Sequence, residues 1–157
     1  MPREAYLTTL AALVRCYQAF EAFSGSHVRA LGLTPPQFDI IATLGNTQGM
    51  TFRELGERTL ITKGTLTGVV DRLEERGLVR RVGLESDRRC TRVELTPEGH
   101  ALFQRIFPAH MDYCRPAFER LSPAERAQLD AGLDALRRAF TDHQTANQAA
   151  TDPAPTE

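Results

Sequence analysis

The spacing of apolar residues changes at Gly77, and this change limits the folds open to the chain. Before it, Leu66, Val70 and Leu73 recur at steps of three or four, as on one face of a helix. After it, "LVRRV" and "CTRVEL" alternate apolar and polar residues, as β-strands do. Gly77 suits a helix end, and "GLESDRR" connects the two alternating runs. The sequence therefore predicts a helix followed directly by a β-hairpin.

Helix start signals place two shorter helices ahead of that one. Thr34 reads as an N-cap with a proline at the first helical position. Thr51 and Glu54 have the three-residue spacing of a capping box, and Thr62 is the expected N-cap of the fourth helix. These signals predict helices over about residues 35–46 and 52–58. Two short helices with a tight turn would then precede the hairpin.

Long amphipathic helices are expected on both sides of this central part. The first runs from about Glu4 to Leu31, and two more begin at Pro97 and Pro123, each after a threonine or serine cap. A central unit of about 60 residues is too small to cover the apolar faces of these helices. Pairing with a second copy of the chain would bury those faces, and we expect a homodimer. The alternative is an intramolecular helix bundle in a monomer.

Two further expectations concern the C-terminal part. Pro108 and Pro116 should interrupt or kink the helix that begins at Pro97, because proline removes a helical hydrogen bond. The segment 141–157 is polar and lacks periodicity, which predicts a disordered tail.

The net charge of −1 hides an uneven distribution along the chain. Residues 58–92 carry nine basic and five acidic side chains, a local charge of +4, whereas residues 93–157 have a local charge of −4. Five arginines lie in the segment 79–95 alone. Positive charge concentrated in one segment favours a polyanion-binding surface. The alternative is an ordinary solvated surface.

The face of the fourth helix opposite its apolar stripe is unusually small and polar. Gly64 and Gly68 lie one turn apart on it, and each glycine costs an exposed helix about 1 kcal/mol relative to alanine. Such glycines are explained if the helix backbone closely approaches another surface, such as the floor of a DNA major groove. The alternative is that they pack against another part of the protein. Lys63 adds charge where the helix N-terminus attracts phosphate.

Taken together, the chain resembles the MarR family of bacterial transcription regulators. The resemblance rests on "LTPPQFDIIATL", "TFRELGERTLITKGTLTGVVDRLEERGLVRR", "ESDRRCTRVELTPEG" and the flanking helices. It implies a mainly α fold with a small β-wing, in which one subunit spans residues 1–140. The implied parts are a winged helix-turn-helix over 35–96 and dimerisation helices over 4–34 and 97–140. Members of the family usually repress promoters as homodimers and release double-stranded DNA when a small molecule binds or a cysteine is oxidised.

The resemblance also assigns the DNA contacts. The wing matches an Asp-x-Arg pattern at Asp87, Arg88 and Arg89, which implies that the aspartate orients an arginine for the minor groove. The expected contacts on a pseudo-palindromic operator are Thr62, Lys63, Gly64, Thr65, Thr67, Gly68, Arg72, Asp87, Arg88 and Arg89. Two glycines stand where the family more often has serines.

Two kinds of switch are open at this point. By position in the family, a small aromatic or anionic effector would be lined by Arg15, Phe23, His27, Phe38 and Tyr113. Each aromatic residue among them also reads as ordinary core. The rival switch is cysteine oxidation: Cys16 lies broadly where peroxide sensors of the family keep a reactive thiol, and Cys90 flanks the wing arginines.

Other functional classes are weighed against these. A winged helix can serve as a protein-interaction module without reading DNA, which would favour apolar exposure on the outward face. An enzyme is not expected, because the sequence lacks a phosphate loop, GxSxG and HExxH motifs. Three widely spaced cysteines and the absence of a long apolar run predict a cytoplasmic protein with no cofactor, metal, disulfide or membrane span.

Overall fold

The computed structural model describes the backbone of residues 2–84 and 87–151 and the side chains of residues 5–83 and 90–148. The helices and strands follow one another in the order α1 (Pro2–Ala30), α2 (Pro35–Leu44), β1 (Met50–Thr51), α3 (Phe52–Arg58), α4 (Lys63–Glu75), β2 (Val79–Leu84), β3 (Asp87–Leu95), α5 (Pro97–Glu119) and α6 (Pro123–Thr151). The predicted mainly α fold with a small β-wing is confirmed. In the described part of the chain, no helix combines the length and apolarity that crossing a membrane requires.

The predicted starts of α2 and α3 carry side-chain caps. The Thr51 hydroxyl accepts a hydrogen bond from the Glu54 amide at 3.2 Å, and the Glu54 carboxylate accepts one from the Thr51 amide at 2.8 Å. Thr34 forms the same reciprocal pair with Gln37, which the sequence reading had not anticipated. Capping satisfies amides that would otherwise lack partners in the first helical turn, so α2 and α3 begin at defined residues.

The hairpin was predicted correctly, but the sheet has a third strand. Its order is β1–β3–β2, with Met50 opposite Val93 and Val79 opposite Leu95. Strand β1 is only two residues long, too short for its alternation to be visible in the sequence. The hairpin strands also extend into the predicted connection, with an irregular register after Gly83.

A single apolar core joins the central helices to the sheet. Ile40, Leu55 and Val70 are fully buried on α2, α3 and α4, and Val93 is fully buried on β3. Residues 66, 70 and 73 face this core, as their spacing predicted. Because the inward face of α4 is fixed by this packing, its opposite face is held outward.

By its internal contacts the chain divides into two compact units, Met1–Cys114 and Arg115–Glu157. In the first unit, α1 exposes about half of each apolar side chain along one stripe, which comprises Leu7, Leu10, Val14, Tyr17 and Phe20. In the second unit, α6 exposes Leu129, Leu133 and Phe140 to a similar degree. Among the described residues, each stripe is an apolar surface that its own unit leaves uncovered. The boundaries expected for dimerisation helices and winged helix stay a prediction.

The structure contradicts parts of two expectations about the C-terminal part. Helix α5 runs without interruption through Pro108 and Pro116, and a kink at these residues stays a prediction. Around Pro108, the burial of Ile106 and His110 on both sides holds the helix despite the lost hydrogen bond. Disorder was expected over residues 141–157, yet α6 continues to Thr151, with the Thr145 hydroxyl bonded to the Thr141 carbonyl at 3.0 Å. Residues 152–157 of the expected tail lie outside the described residues. Alanine and glutamine in this segment are good helix formers, which a search for apolar periodicity overlooks.

Candidate functional site

The outward face of α4 is exposed and consists of small or polar residues. All seven positions expected to contact DNA on this helix are exposed, namely Thr62, Lys63, Gly64, Thr65, Thr67, Gly68 and Arg72. A Cβ atom added at Gly64 or Gly68 would meet nothing within 4 Å. Packing against another part of the chain that the structure describes therefore does not explain the two glycines. The face is open to an external partner that comes close to the backbone.

The start of α4 differs from expectation in its cap. Thr62 occupies the N-cap position, but its side chain accepts no hydrogen bond from the helix. Its hydroxyl instead donates to the Thr65 hydroxyl at 3.1 Å. The first-turn amides of α4 thus lack this side-chain acceptor, and helix amides in that state attract anions. Lys63 lies at the same end of the helix.

Less of the positive charge of the wing is available to a partner than the count of arginines suggested. Arg80 pairs with Glu94 at 2.6 Å, and Arg92 pairs with the same carboxylate at 3.2 Å. Arg81 pairs with Asp71 and Glu74 on α4. Three of the five arginines in segment 79–95 are thus paired with carboxylates within the chain. The side chains of the other two, at positions 88 and 89, and of residue 87 lie outside the described residues.

The turn between α3 and α4 is anchored to α2. An Asp39 carboxylate oxygen accepts the Leu60 amide at 3.2 Å, and burial raises the pKa of that carboxyl group. Leu60 is 77% exposed and is the one large apolar side chain so exposed among the described residues from 31 to 83. A protein-interaction module would be expected to show a broader apolar surface here. The observed surface favours a polar partner.

Four of the five residues expected at an effector pocket come together between α1, α2 and α5. The Tyr113 ring stacks on Phe23 with centroids 4.7 Å apart and on His27 at 4.1 Å. The Phe38 ring joins this cluster by packing edge-on against the ring of His110, with the two centroids 4.7 Å apart. Arg15 is exposed and lies twelve residues before His27, roughly 18 Å away along a helix. The structure therefore does not bring Arg15 to this cluster.

His110 is the member of the cluster that the sequence analysis missed. It is 3% exposed, and its Nδ1 lies 2.9 Å from Nδ1 of His27. Its Nε2 lies 3.0 Å from the Ser24 hydroxyl. Since two imidazole nitrogens share one hydrogen bond, one ring must donate and the other must accept. The four-residue spacing of Leu102, Ile106, His110 and Cys114 on α5 was the available signal.

The environment of His110 disfavours its charge. Burial lowers the pKa of His110, and the nearby His27 lowers it further. An unfolded chain takes up a proton near the ordinary pKa of 6.5. Because the folded chain resists this proton, the stability contributed by neutral His110 is complete above that pH and declines as the pH falls below it.

We expect the urea concentration at the unfolding midpoint to decrease when the pH is lowered from 8 to 5.5. The His110→Gln variant should show a smaller decrease. The variant lacks the titrating ring, so its unfolded state gains no proton at this position. His100→Gln, at an exposed histidine of the same helix, is the control and should keep the wild-type pH dependence. An identical fall in His110→Gln and wild type would contradict the assignment.

The cysteines give limited support to a redox switch. Cys16 and Cys90 are exposed and Cys114 is buried, all three as thiols. Burial raises the pKa of the Cys114 thiol, which disfavours the reactive thiolate there. Exposure provides access at the other two positions, but a sensor also needs an environment that stabilises the thiolate. Within the described residues, no group of three or more histidine, cysteine, aspartate or glutamate side chains is placed to hold a metal ion.

Comparison with known proteins agrees with this arrangement. The profile of the MarR family matches residues 31–89. The HTH-type transcriptional regulator MhqR of Bacillus subtilis is 31% identical over 135 residues, which covers 86% of this chain and 91% of MhqR.

Two solved structures share the fold over most of both chains. Sco3205 of Streptomyces coelicolor, a MarR family regulator in complex with DNA, superimposes with a TM-score of 0.77 at 25% identity, covering 85% of this chain and 90% of that one. Bordetella bronchiseptica BpsR, whose DNA binding is regulated by 6-hydroxynicotinic acid, gives a TM-score of 0.74 at 28% identity, covering 83% and 98%. With the sequence match to MhqR extending over nearly its whole length, the chain belongs to the MarR family of transcriptional regulators.

Proposed function

We propose that this regulator is a homodimeric repressor that reads double-stranded DNA with α4 and the β2–β3 wing. The observation that carries the proposal is the exposed face of α4, where Gly64 and Gly68 have open space beside them. Alanine at both positions would make a better isolated helix. The glycines are useful if a base-pair edge occupies that space, and the neighbouring threonines offer methyl and hydroxyl groups to bases.

A second copy of the chain completes the proposed reader. The apolar stripes on α1 and α6 are about half exposed, and pairing two copies would cover them. A two-fold dimer presents two copies of α4 to the same side of a duplex. Half-sites would lie about 34 Å apart, one turn of DNA, in a pseudo-palindrome. DNA-bound Sco3205 supports this mode of action for a similar fold.

The wing tip gives the test of this proposal. Arg89→Ala should weaken binding to a duplex strongly, because the proposed minor-groove cation is lost. Asp87→Ala should also weaken binding, although it makes the protein more positive, since the aspartate is proposed to orient the arginine. Both affinities are measured by fluorescence anisotropy on a duplex recovered from a random pool. Tighter binding by Asp87→Ala, as bulk charge would give, contradicts this wing mechanism.

We further propose that the cluster of Phe23, His27, Phe38, His110 and Tyr113 holds a small aromatic acid that controls DNA release. Flat rings and paired imidazoles suit an aromatic body with a polar or anionic group. BpsR supports the proposal, because 6-hydroxynicotinic acid regulates its DNA binding.

A panel of aromatic acids that includes 6-hydroxynicotinic acid tests the effector site. At a hundredfold excess over Kd, a ligand that binds only the folded protein stabilises it by about 2.7 kcal/mol, which raises the thermal midpoint by several degrees. Tyr113→Ala should lose this shift because the ring stacks on both Phe23 and His27. His100→Ala, on the same helix, should keep it. No shift with any acid, or an equal shift in Tyr113→Ala, would remove this site from consideration.

A further inference from the structure

Arg81 connects the wing strand β2 to helix α4. It lies in β2, and its guanidinium donates through Nη1 to Glu74 and through Nη2 to Asp71, both on α4. The Arg81 backbone amide also donates to the Glu74 carboxylate, at 3.3 Å. Asp71 and Glu74 are three residues apart and therefore lie on the same side of α4. One side chain thus spans two carboxylates of the helix while its own backbone is bonded to one of them.

Helix α3 provides a third side to this junction. The guanidinium carbon of Arg81 lies 5.5 Å from the centre of the Phe52 ring, at the first residue of α3. Phe52 itself packs against the core of the winged-helix unit. The Arg81 side chain is 28% exposed, less than either carboxylate partner. Its guanidinium faces two carboxylates and an aromatic ring, and it is less exposed than that of Arg80, which is 60% exposed.

We propose that Arg81 is a positioning residue for DNA recognition, which fixes wing strand β2 against α4 and does not itself contact phosphate. This inference rests on the proposed function. A helix in the major groove and a wing in the minor groove must reach the same duplex together, so the distance between them matters. The planar guanidinium, with donors in a fixed fork, can hold two carboxylates in a set geometry, whereas the ammonium of lysine acts as a point charge.

The inference predicts an effect whose sign is opposite to that of bulk electrostatics. Asp71→Asn and Glu74→Gln each remove a negative charge close to the proposed DNA surface. Bulk charge alone would make both variants bind DNA more tightly. If the carboxylates hold Arg81 and thereby the wing, both variants bind more weakly.

Adjacent glutamates on α4 supply the matched pair of variants. Glu74→Gln breaks the junction, whereas Glu75→Gln removes the same charge from the next, exposed position. We expect affinity for a duplex recovered from a random pool to fall roughly tenfold in Glu74→Gln, since members of one ion-pair network are energetically coupled. Glu75→Gln should bind as tightly as wild type or more tightly. Arg81→Lys keeps the charge and should be weak, like Glu74→Gln.

Footprinting separates positioning from a general loss of stability. Urea unfolding first establishes that each variant is folded at the assay temperature. At saturating protein, hydroxyl-radical protection of the minor groove at the wing contacts should weaken in Glu74→Gln and in Arg81→Lys, while the rest of the footprint stays. Wild-type affinity in both Glu74→Gln and Arg81→Lys, or tighter binding by Glu74→Gln, overturns the positioning role alone. If wild type and Glu75→Gln both fail to bind duplex DNA, the proposed function and the positioning role are both overturned.

Discussion

Replacing Gly64 and Gly68 together by alanine is expected to stabilise the protein and at the same time to weaken DNA binding. Alanine is favoured over glycine by about 1 kcal/mol in a helix interior, and a Cβ atom at either position meets nothing within 4 Å. The thermal midpoint should therefore rise by a few degrees. On DNA, each added methyl would occupy space that the proposed base contacts need. Loss of one such contact costs about 1–3 kcal/mol, so affinity should fall by roughly tenfold or more.

Gly132→Ala provides the control for helix propensity. Gly132 is an exposed glycine within α6 with open space for a Cβ, so alanine should stabilise the chain there as well. It lies outside the winged-helix segment and should leave DNA affinity at the wild-type value. Opposite changes in stability and affinity are the signature of a site optimised for a partner. Unchanged affinity in the Gly64→Ala/Gly68→Ala variant would mean that α4 does not approach the bases closely.

Gly99→Ala is expected to cause the largest loss of stability of any glycine-to-alanine change considered. Gly99 is buried in the first turn of α5, and a Cβ there would clash with the carbonyl oxygen of Leu78. That oxygen already accepts the Thr96 amide at 3.1 Å, so it cannot move away without breaking a hydrogen bond. Overpacking of this kind costs about 1–3 kcal/mol and occasionally more. We expect the cost to exceed the gain in helix propensity and to lower the urea midpoint substantially.

Gly83→Ala is the comparison for this effect within the same unit. Gly83 lies in the wing strand β2, is exposed, and has nothing within 4 Å of an added Cβ. The Gly83→Ala variant should unfold at a urea concentration near that of wild type. A Gly99→Ala protein as stable as Gly83→Ala would show that α5 does not pack against the Leu78 carbonyl.

The helices and the hairpin were predictable because their signals are local. Thr51 and Glu54 form a capping box three residues apart, and the change of apolar period at Gly77 marks where helix gives way to strand. Gly77 has a φ of +70°, in the left-handed region that ends many helices. Strand β1 escaped prediction because its two residues are strand only through their pairing with Val93 and Arg92. Continuation of α6 beyond residue 140 depends on helix propensity and carries little apolar periodicity.

The sequence predicted which residues of the candidate site are exposed, but it did not predict which side chains contact one another. The apolar stripe of α4 implied an outward face, and every residue expected there is exposed. The pairing of Arg80, Arg81 and Arg92 with acidic residues from α4 and β3 needs the three-dimensional arrangement. For the same reason His110 was missed, since only folding brings α5 against His27 and Ser24 of α1. A local count of charge thus overstated the free basicity of the wing.

Selection of bound duplexes from a random pool, at two salt concentrations, tests the central claim most directly. The proposal that this MarR family member reads DNA as a dimer predicts an enriched pseudo-palindrome with half-sites about one helical turn apart. It also predicts a linear fall of log affinity with log salt, whose slope reports the number of phosphate contacts. Recovery of no preferred sequence at either salt concentration would contradict sequence-specific recognition by α4 and the wing.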